Sequence, residues 1–238
     1  MERLKVATHN ICHMGKNPID RTELFPDQTY RNGYEADMVS LMKRNWREVQ
    51  SSCAADLIGI QEFFPWFDLA HTIETAKEVY EPYGYQVSDG GYGLAVASRI
   101  PLEKVYEKDF APASARRRQK FYLDYGGKKI AVFNCHPMPK TENGEIRQRE
   151  YALLIEDFRK EENFIAFGDF NGRKPVEYEI FMEAGYPIAN GGIMSVENGL
   201  VCDNIVISPN FRFDRIEVHD RDFTVSDHAM LYAEILIP

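Results

Sequence analysis

The sequence predicts an α/β protein in which two mixed β-sheets pack together with helices on their outer faces, forming a single domain over residues 1–238. Three observations lead there. Short apolar runs of strand character recur along the whole chain, stretches with a three- and four-residue apolar step separate some of them, and a glycine pair joins two others directly. Strands joined by tight turns pair antiparallel and strands separated by helices can pair in parallel, so a chain holding both kinds of connection builds mixed sheets.

The first strand pattern, residues 4–8, is Leu4-Lys5-Val6-Ala7-Thr8 and follows Met1 with no apolar leader. Residues 38–54 then place Met38, Leu41, Met42, Trp46 and Val49 at helical steps, giving one apolar face. Residues 57–61 read as a strand, residues 69–80 as a second helix, and residues 94–98 as the next strand. Strands at 121–125 and 129–135 flank Gly126-Gly127, a hairpin signal. A third helix is expected over 146–160, with Ile146, Ala152, Leu153, Ile155 and Phe158 as its apolar positions. Strands at 164–168, 204–208, 211–218 and 230–237 complete the pattern, so strands dominate the C-terminal part. No fixed-period repeat, low-complexity tract or Gly/Ser/Pro-rich linker divides the chain.

Composition narrows the functional classes. Hydrophobic content of 44% and charged content of 27% suit a globular chain with one large core. The net charge of -9, from 37 acidic and 28 basic residues, argues against tight sequence-independent binding to duplex nucleic acid, which needs a basic face. A carboxylate-built metal site would account for part of the acidic excess. Cys12, Cys53, Cys135 and Cys202 form no Cys-x-x-Cys pair and lie in or beside apolar stretches, so buried reduced thiols are expected in place of structural zinc or a disulfide framework. No stretch approaches the roughly 18 apolar residues of a membrane span, and no secretory leader is visible, so the expectation is a cytoplasmic protein with no obligate protein partner.

The chemistry sits at strand ends. Asn10 follows the first strand in Thr8-His9-Asn10, and Glu62 ends the second in Ile58-Gly59-Ile60-Gln61-Glu62. His136 ends Val132-Phe133-Asn134-Cys135-His136, while Asp169 and Asn171 follow Phe164-Ile165-Ala166-Phe167 in Gly168-Asp169-Phe170-Asn171. Asp203 opens the strand Asn204-Ile205-Val206-Ile207-Ser208, and Ser226-Asp227-His228 follows Phe223-Thr224-Val225. Taken singly, Asn10 and Asn171 read as turn formers, His136 as a satisfied rim histidine and Asp203 as a turn cap. An ordered set of oxygen donors and imidazoles at six strand ends is a different matter. Rigid strands hold such side chains at one rim, and a carboxylate beside an imidazole fixes its tautomer. The set suggests a hydrolytic site that uses a divalent cation.

In that order the motifs resemble the endonuclease/exonuclease/phosphatase superfamily, the DNase I-like fold, over nearly the whole chain. Ile58-Gly59-Ile60-Gln61-Glu62, Gly168-Asp169-Phe170-Asn171 and Ser226-Asp227-His228 are its most specific parts. Asn45-Trp46-Arg47 and Gly93-Leu94-Ala95-Val96-Ala97-Ser98-Arg99 add to it. The resemblance implies a four-layered α/β sandwich and a Mg²⁺-dependent phosphoesterase, with Mn²⁺ as a possible substitute. It implies Glu62 as the main metal ligand, helped by Asn10 and Asp227. It makes His228 the general base or transition-state stabiliser, with its ring held by Asp203. Asp169 would orient or deprotonate the attacking water, Asn171 would bind a phosphate oxygen, and His136 would contact the phosphate or assist the leaving group. Cys12 stands where some members carry an acidic residue, and Pro137-Met138-Pro139 stiffens the segment after His136.

The substrate is less legible, since this fold serves many phosphoesters. The basic run Arg116-Arg117-Arg118-Gln119-Lys120 reads either as a solvated hairpin edge or, through Arg117 or Arg118, as a phosphate clamp, with Tyr92, residues 15–33 and the Asn190-Gly191-Gly192 turn as further candidates to overhang the site. A short acidic chain favours a small or single-stranded phosphodiester or phosphomonoester, such as a nucleotide, over duplex DNA. The alternatives are a catalytically silent binding module of the same fold and a phospholipid- or inositol-phosphate-directed enzyme. For the latter, Phe63-Phe64-Pro65-Trp66-Phe67 is the candidate membrane contact.

Overall fold

The computed structural model describes residues 1–11, 47, 53–63, 80–89, 93–111, 116–139, 144–223 and 226–238. Within them lie eleven strands in two mixed sheets. The first sheet joins β1 (Glu2–Asn10), β2 (Leu57–Phe63), β3 (Gln86–Asp89), β4 (Gly93–Ser98), β10 (Arg212–His219) and β11 (Met230–Ile237) in the order β10-β11-β1-β2-β4-β3. The second joins β5 (Glu103–Asp109), β6 (Arg117–Tyr125), β7 (Lys128–Cys135), β8 (Phe164–Asp169) and β9 (Asp203–Ile207) in sequence order. Each sheet has one parallel pair near its middle, β1 with β2 and β7 with β8, and is otherwise antiparallel.

Side chains alternate across each strand, and the alternation separates two faces. Leu4 and Val6 of β1, Ile130 and Val132 of β7, Ile165 and Phe167 of β8, and Leu231, Ala233 and Ile235 of β11 meet in the core between the sheets. Ala7, Ile58, Ile60, Ala95 and Met230 point the other way into a second cluster with Cys53 and Tyr80. Beyond the second sheet, Ala131, Phe133 and Ala166 pack under helices α1 (Glu145–Phe158) and α2 (Glu179–Glu183) through Tyr151, Phe158 and Phe181. The result is the α/β sandwich that the sequence predicts. The sheets approach closely at Gly59, where a Cβ would fall 2.1 Å from the Phe167 ring.

The strand patterns hold, mostly with longer ends. The Gly126-Gly127 hairpin has φ of 58° and 73°, the doubly left-handed turn whose twist suits antiparallel strands. β3 and β5 are additions to the expected set, because Gln86–Asp89 is short and Glu103–Asp109 is a charged edge strand with no fully buried residue. The third helix forms with Ile155 and Phe158 buried as expected, but the rest of its inner face differs. Ile146 is 47% exposed and Ala152 is exposed, whereas Arg147, Glu150 and Asp157 are buried beside Tyr151 and Phe158. Those charges find partners inside, and hydropathy cannot register a buried, satisfied ion pair. The helices expected over 38–54 and 69–80, Asn45-Trp46, Cys12, Tyr92, residues 15–33 and residues 64–67 lie outside the described residues, apart from helix ends such as Cys53 and Tyr80. Phe63, the described member of the aromatic run, is buried in the outer cluster of the first sheet.

Candidate functional site

The parallel pairs explain why distant residues meet. Leu4, Val6, Thr8 and Asn10 share the inner face of β1, so Asn10 leaves the strand aimed at the second sheet. Ile165, Phe167 and Asp169 share the inner face of β8, and Asn10 Nδ2 donates to Asp169 Oδ2 at 2.9 Å across the gap. Alternation likewise turns Asn134 and His136 inward from β7 and Asp203 inward from β9.

Asp169 is the hub. It is 1% exposed, and His136 Nε2 lies 3.3 Å and His228 Nε2 3.8 Å from its Oδ2. Its Oδ1 accepts the Asn171 backbone N–H at 2.8 Å. Asp203, with no exposed surface, accepts from His228 Nδ1 at 2.8 Å. His228 is pinned from its backbone as well: its carbonyl accepts from His9 Nε2 at 3.1 Å, and its N–H donates to Ser226 Oγ at 3.1 Å.

These contacts set the charges. Burial would raise the Asp169 carboxyl, but the nearby His228 charge and hydrogen bonds from His136 and Asn10 override it and hold Asp169 well below the usual carboxylate range. Burial raises Asp203 to about 6 against the opposing pull of His228. Burial would lower His228, yet Asp203, Asp169 and Asp227 together raise it to about 10. At neutral pH the cluster is therefore two carboxylates with an imidazolium between them.

Glu62 lies on the same rim. Asn10 registers opposite Gln61 in the β1–β2 pair, and Ile11 donates to the Gln61 carbonyl at 3.0 Å, which sets Glu62 beside the end of β1. The β2–β4 register shifts between Gln61 and Phe63, and Glu62 takes a left-handed φ of 56°. Such a bulge sends Phe63 to the outer cluster and leaves Glu62 as the extra, half-buried residue, re-aimed from its expected face. Asn171 is also left-handed, with φ of 57°. Strained backbone of this kind gathers at functional sites. Ser226 Oγ donates to the Asn10 carbonyl at 2.7 Å, so the half-exposed Asp227 is tied to the same corner.

The structure thus brings Asn10, His136, Asp169, Asn171, Asp203, Asp227 and His228 to one rim, with Glu62 at its edge. The arginines are a correction. Arg118 is 5% exposed, donates to Asp157 at 2.9 Å and lies over the Phe110 ring, on the face of β6 that packs toward α1. Arg117 pairs with Glu107 at 3.2 Å and Asp109 at 2.7 Å. Neighbouring carboxylates hold both guanidiniums, which no reading of a basic run reveals. Arg116 is the arginine beside the site, with Nη1 3.0 Å from both ring nitrogens of His136. Equal distances put it over the ring and not in line with either lone pair. Asn190 is buried and turns inward, donating to the Asp203 carbonyl at 2.9 Å, so its turn anchors β9.

Sequence reading also missed the polar layer beneath the rim. Gln61 Nε2 donates to Asn134 Oδ1 at 2.8 Å, and Asn134 Nδ2 donates to the carbonyls of Ile60 at 3.1 Å and Ala95 at 2.8 Å. Gln119 continues the layer to the Leu94 carbonyl at 3.1 Å. Polar residues at inward positions of otherwise apolar strands were the available signal.

Donor chemistry tests the fit of a metal. Asp169, Asp203 and His228 offer ligand atoms all within 4.8 Å of one another, a group that could hold a cation. Asn10, Glu62 and Asp227 add an amide and two carboxylates. The buried thiols of Cys135 and Cys202 are pushed far up by burial and stay protonated. Oxygen and imidazole are what this corner presents, and oxygen donors suit a hard divalent cation.

Comparison with known proteins agrees with this geometry. The model of the "Endonuclease/Exonuclease/phosphatase family" matches residues 7–228. The "Uncharacterized protein YbhP" of Escherichia coli (strain K12) is 24% identical over 97% of this chain and 95% of its own. The D. rerio TDP2 structure complexed with single strand DNA product superimposes with a TM-score of 0.68 at 14% identity, covering 100% of each chain. The mannosyl-6-phosphatase Bt3783 of Bacteroides thetaiotaomicron VPI-5482 gives a TM-score of 0.69 at 18% identity, over 98% of this chain and 100% of the other.

Proposed function

The chain belongs to the endonuclease/exonuclease/phosphatase family, and from that premise we propose that it is a divalent-metal-dependent phosphoesterase acting on a small or single-stranded phosphoester. One observation carries the reading. Asp203 and His228 form a buried pair at 2.8 Å, and the imidazole Nε2 points at a second carboxylate, Asp169, on a rim shared with Asn10 and Glu62.

A hard cation suits Glu62, Asn10 and Asp227 better than the Asp169–Asp203–His228 group. His228 Nδ1 is engaged there with Asp203 at 2.8 Å, and a cation would have to displace the proton between them. Bound at the rim, Mg²⁺ would polarise the phosphoryl oxygens and offset their charge.

The side chains divide the remaining work. His228, raised by its carboxylate neighbours, is a donor to the charge that develops on a phosphoryl oxygen. Asp203 fixes its tautomer and ring direction. Asp169, an anion buried among donors, takes the role of orienting the attacking water. Asn171 and His136 donate to non-bridging oxygens from the other side. Arg116, over the His136 ring, replaces Arg117 and Arg118 as the guanidinium that meets the phosphate.

The substrate class rests on charge and on likeness. The net charge of -9 disfavours duplex binding. Structures with this fold include one carrying a single strand DNA product and one that is a mannosyl-6-phosphatase, so single strands and small phosphomonoesters both suit such a rim. A panel of single- and double-stranded nucleic acids, nucleotides, sugar phosphates, inositol phosphates and phospholipids, assayed with Mg²⁺, Mn²⁺ and EDTA, tests the proposal. EDTA-sensitive turnover of a small or single-stranded substrate is expected. No EDTA-sensitive turnover across the panel would leave a binding module of this fold.

A further inference from the structure

His136 is followed by Pro137-Met138-Pro139, which forms neither helix nor strand, yet other parts of the chain hold its backbone at every residue. His136 N–H donates to the Arg117 carbonyl at 3.1 Å. The Pro137 carbonyl accepts from Asn171 Nδ2 at 2.9 Å. Met138 N–H donates to Glu150 Oε2 at 2.6 Å, and the Pro139 carbonyl accepts from Arg147 Nη1 at 3.1 Å. Prolines lack the N–H groups that a regular element would use, so the segment depends on side chains for its shape.

Glu150 and Arg147 are each 3% exposed, on one face of α1. Arg147 Nε also donates to Glu177 at 3.0 Å, its Nη2 contacts the same carboxylate, and the other oxygen of Glu177 accepts the Arg173 N–H at 2.8 Å. Gln148 adds a bond to the Glu177 carbonyl at 3.2 Å. Burying two charged side chains is costly, and apolar residues of similar size would pack this helix face at lower cost. The observed charges serve the segment: both bond its backbone, and Asn171, itself fixed by Asp169, bonds it from the opposite side.

We infer that Arg147 and Glu150 are positioning residues, which clamp the His136–Pro139 segment so that His136 and Asn171 face the Asp169 rim at fixed distances. The inference rests on the phosphoesterase reading for its catalytic consequence but not for its geometry. His136 Nε2 stands 3.3 Å from Asp169, and the segment is the shortest covalent path from the clamp to that contact. Misplacement of a reacting group by about 1 Å costs on the order of a hundredfold in rate.

The experiment pairs kinetics with the ring resonances of His136. Glu150→Leu removes the acceptor for Met138 N–H; it is expected to lower kcat about a hundredfold with little change in KM, and to shift the His136 imidazole signals. Glu150→Gln keeps an acceptor oxygen and is expected to restore both. Arg149→Ala, at an exposed position of the same helix, should change neither. Should Glu150→Leu fail to fold, Arg147→Lys keeps the charge but loses the fork that spans Pro139 and Glu177, and the same two readouts apply. Wild-type kcat together with unmoved His136 signals in these variants would overturn the clamp. A wild-type protein inactive on every phosphoester would sink the phosphoesterase reading alone, because the His136 signals still decide the clamp.

Discussion

Replacing Asp203 with asparagine tests the charge arrangement directly. The Nδ1···Oδ2 separation of 2.8 Å gives an attraction of about 6 kcal/mol at an effective dielectric of about 20. Part of that is spent opposing the burial of His228, which is 8% exposed, and the balance is a rise from 6.5 to about 10, worth roughly 5 kcal/mol. An opposite charge at this range typically moves a pKa by about 1–3 units, and an asparagine side chain in its place keeps a hydrogen bond but no charge. His228 in Asp203→Asn should then titrate about 2 pH units lower than in the wild type. The sign follows: a raised histidine keeps its proton until pH rises through its folded value, so an activity that needs the imidazolium persists to about pH 10 in the wild type and fails nearer pH 8 in the variant. NMR titration of the His228 ring measures this without any substrate, and turnover of a chromogenic phosphodiester against pH should show the same displacement, with a loss of about twofold at pH 8 that grows to about fiftyfold at pH 10. A His228 titration moved by less than about half a pH unit would refute the pairing as the source of its charge.

Three further outcomes are expected. Glu62→Gly relieves a left-handed φ of 56°, so it should leave the melting temperature unchanged or raised while abolishing the response of turnover to Mg²⁺ titration; a folded variant with normal metal response would remove Glu62 from the metal site. Arg118→Ala breaks the buried pair with Asp157 and should cost about 3 kcal/mol in denaturant unfolding with KM unaffected, whereas Arg116→Ala should raise KM about tenfold at constant stability; the reverse pattern would return the phosphate to Arg118. Burial lowers His9 to about 4 from 6.5, so the unfolded chain takes up a proton that the folded protein refuses. Stability is then full above pH 6.5 and falls as pH drops toward 4, by about 3 kcal/mol, and urea unfolding of His9→Asn should lack that slope.

Much of the fold is legible in the sequence because β alternation and apolar runs report burial directly. Phe164-Ile165-Ala166-Phe167 is buried on both faces and carries no polar residue. The edge strand Glu103–Asp109 is not legible, because an edge with charged side chains looks like a loop. The α1 face differs from the expected one for a related reason: Arg147, Glu150 and Asp157 are interior only by virtue of Glu177, Met138 and Arg118, residues remote from them along the chain. Among the candidate site residues, Asn10, His136, Asp169, Asn171, Asp203 and His228 stand out by their positions at strand ends, and the two sheets do bring them together. Arg117 and Arg118 stand out by charge alone, and charge does not say which partner is nearest.

The sequence by itself determined which polar residues stand at strand ends and which strands hold them, since both follow from local pattern: residue type at a strand end, and a two-residue period that assigns each side chain to a face. Tertiary structure alone decided how those side chains act on one another. The 2.8 Å contact that favours a proton on His228, the bulge that redirects Glu62, and the clamp on the His136 segment all depend on distances between parts of the chain far apart in sequence. A hydrogen bond is lost beyond about 3.5 Å and Coulomb attraction weakens with separation, so only the packed sheets fix their strength.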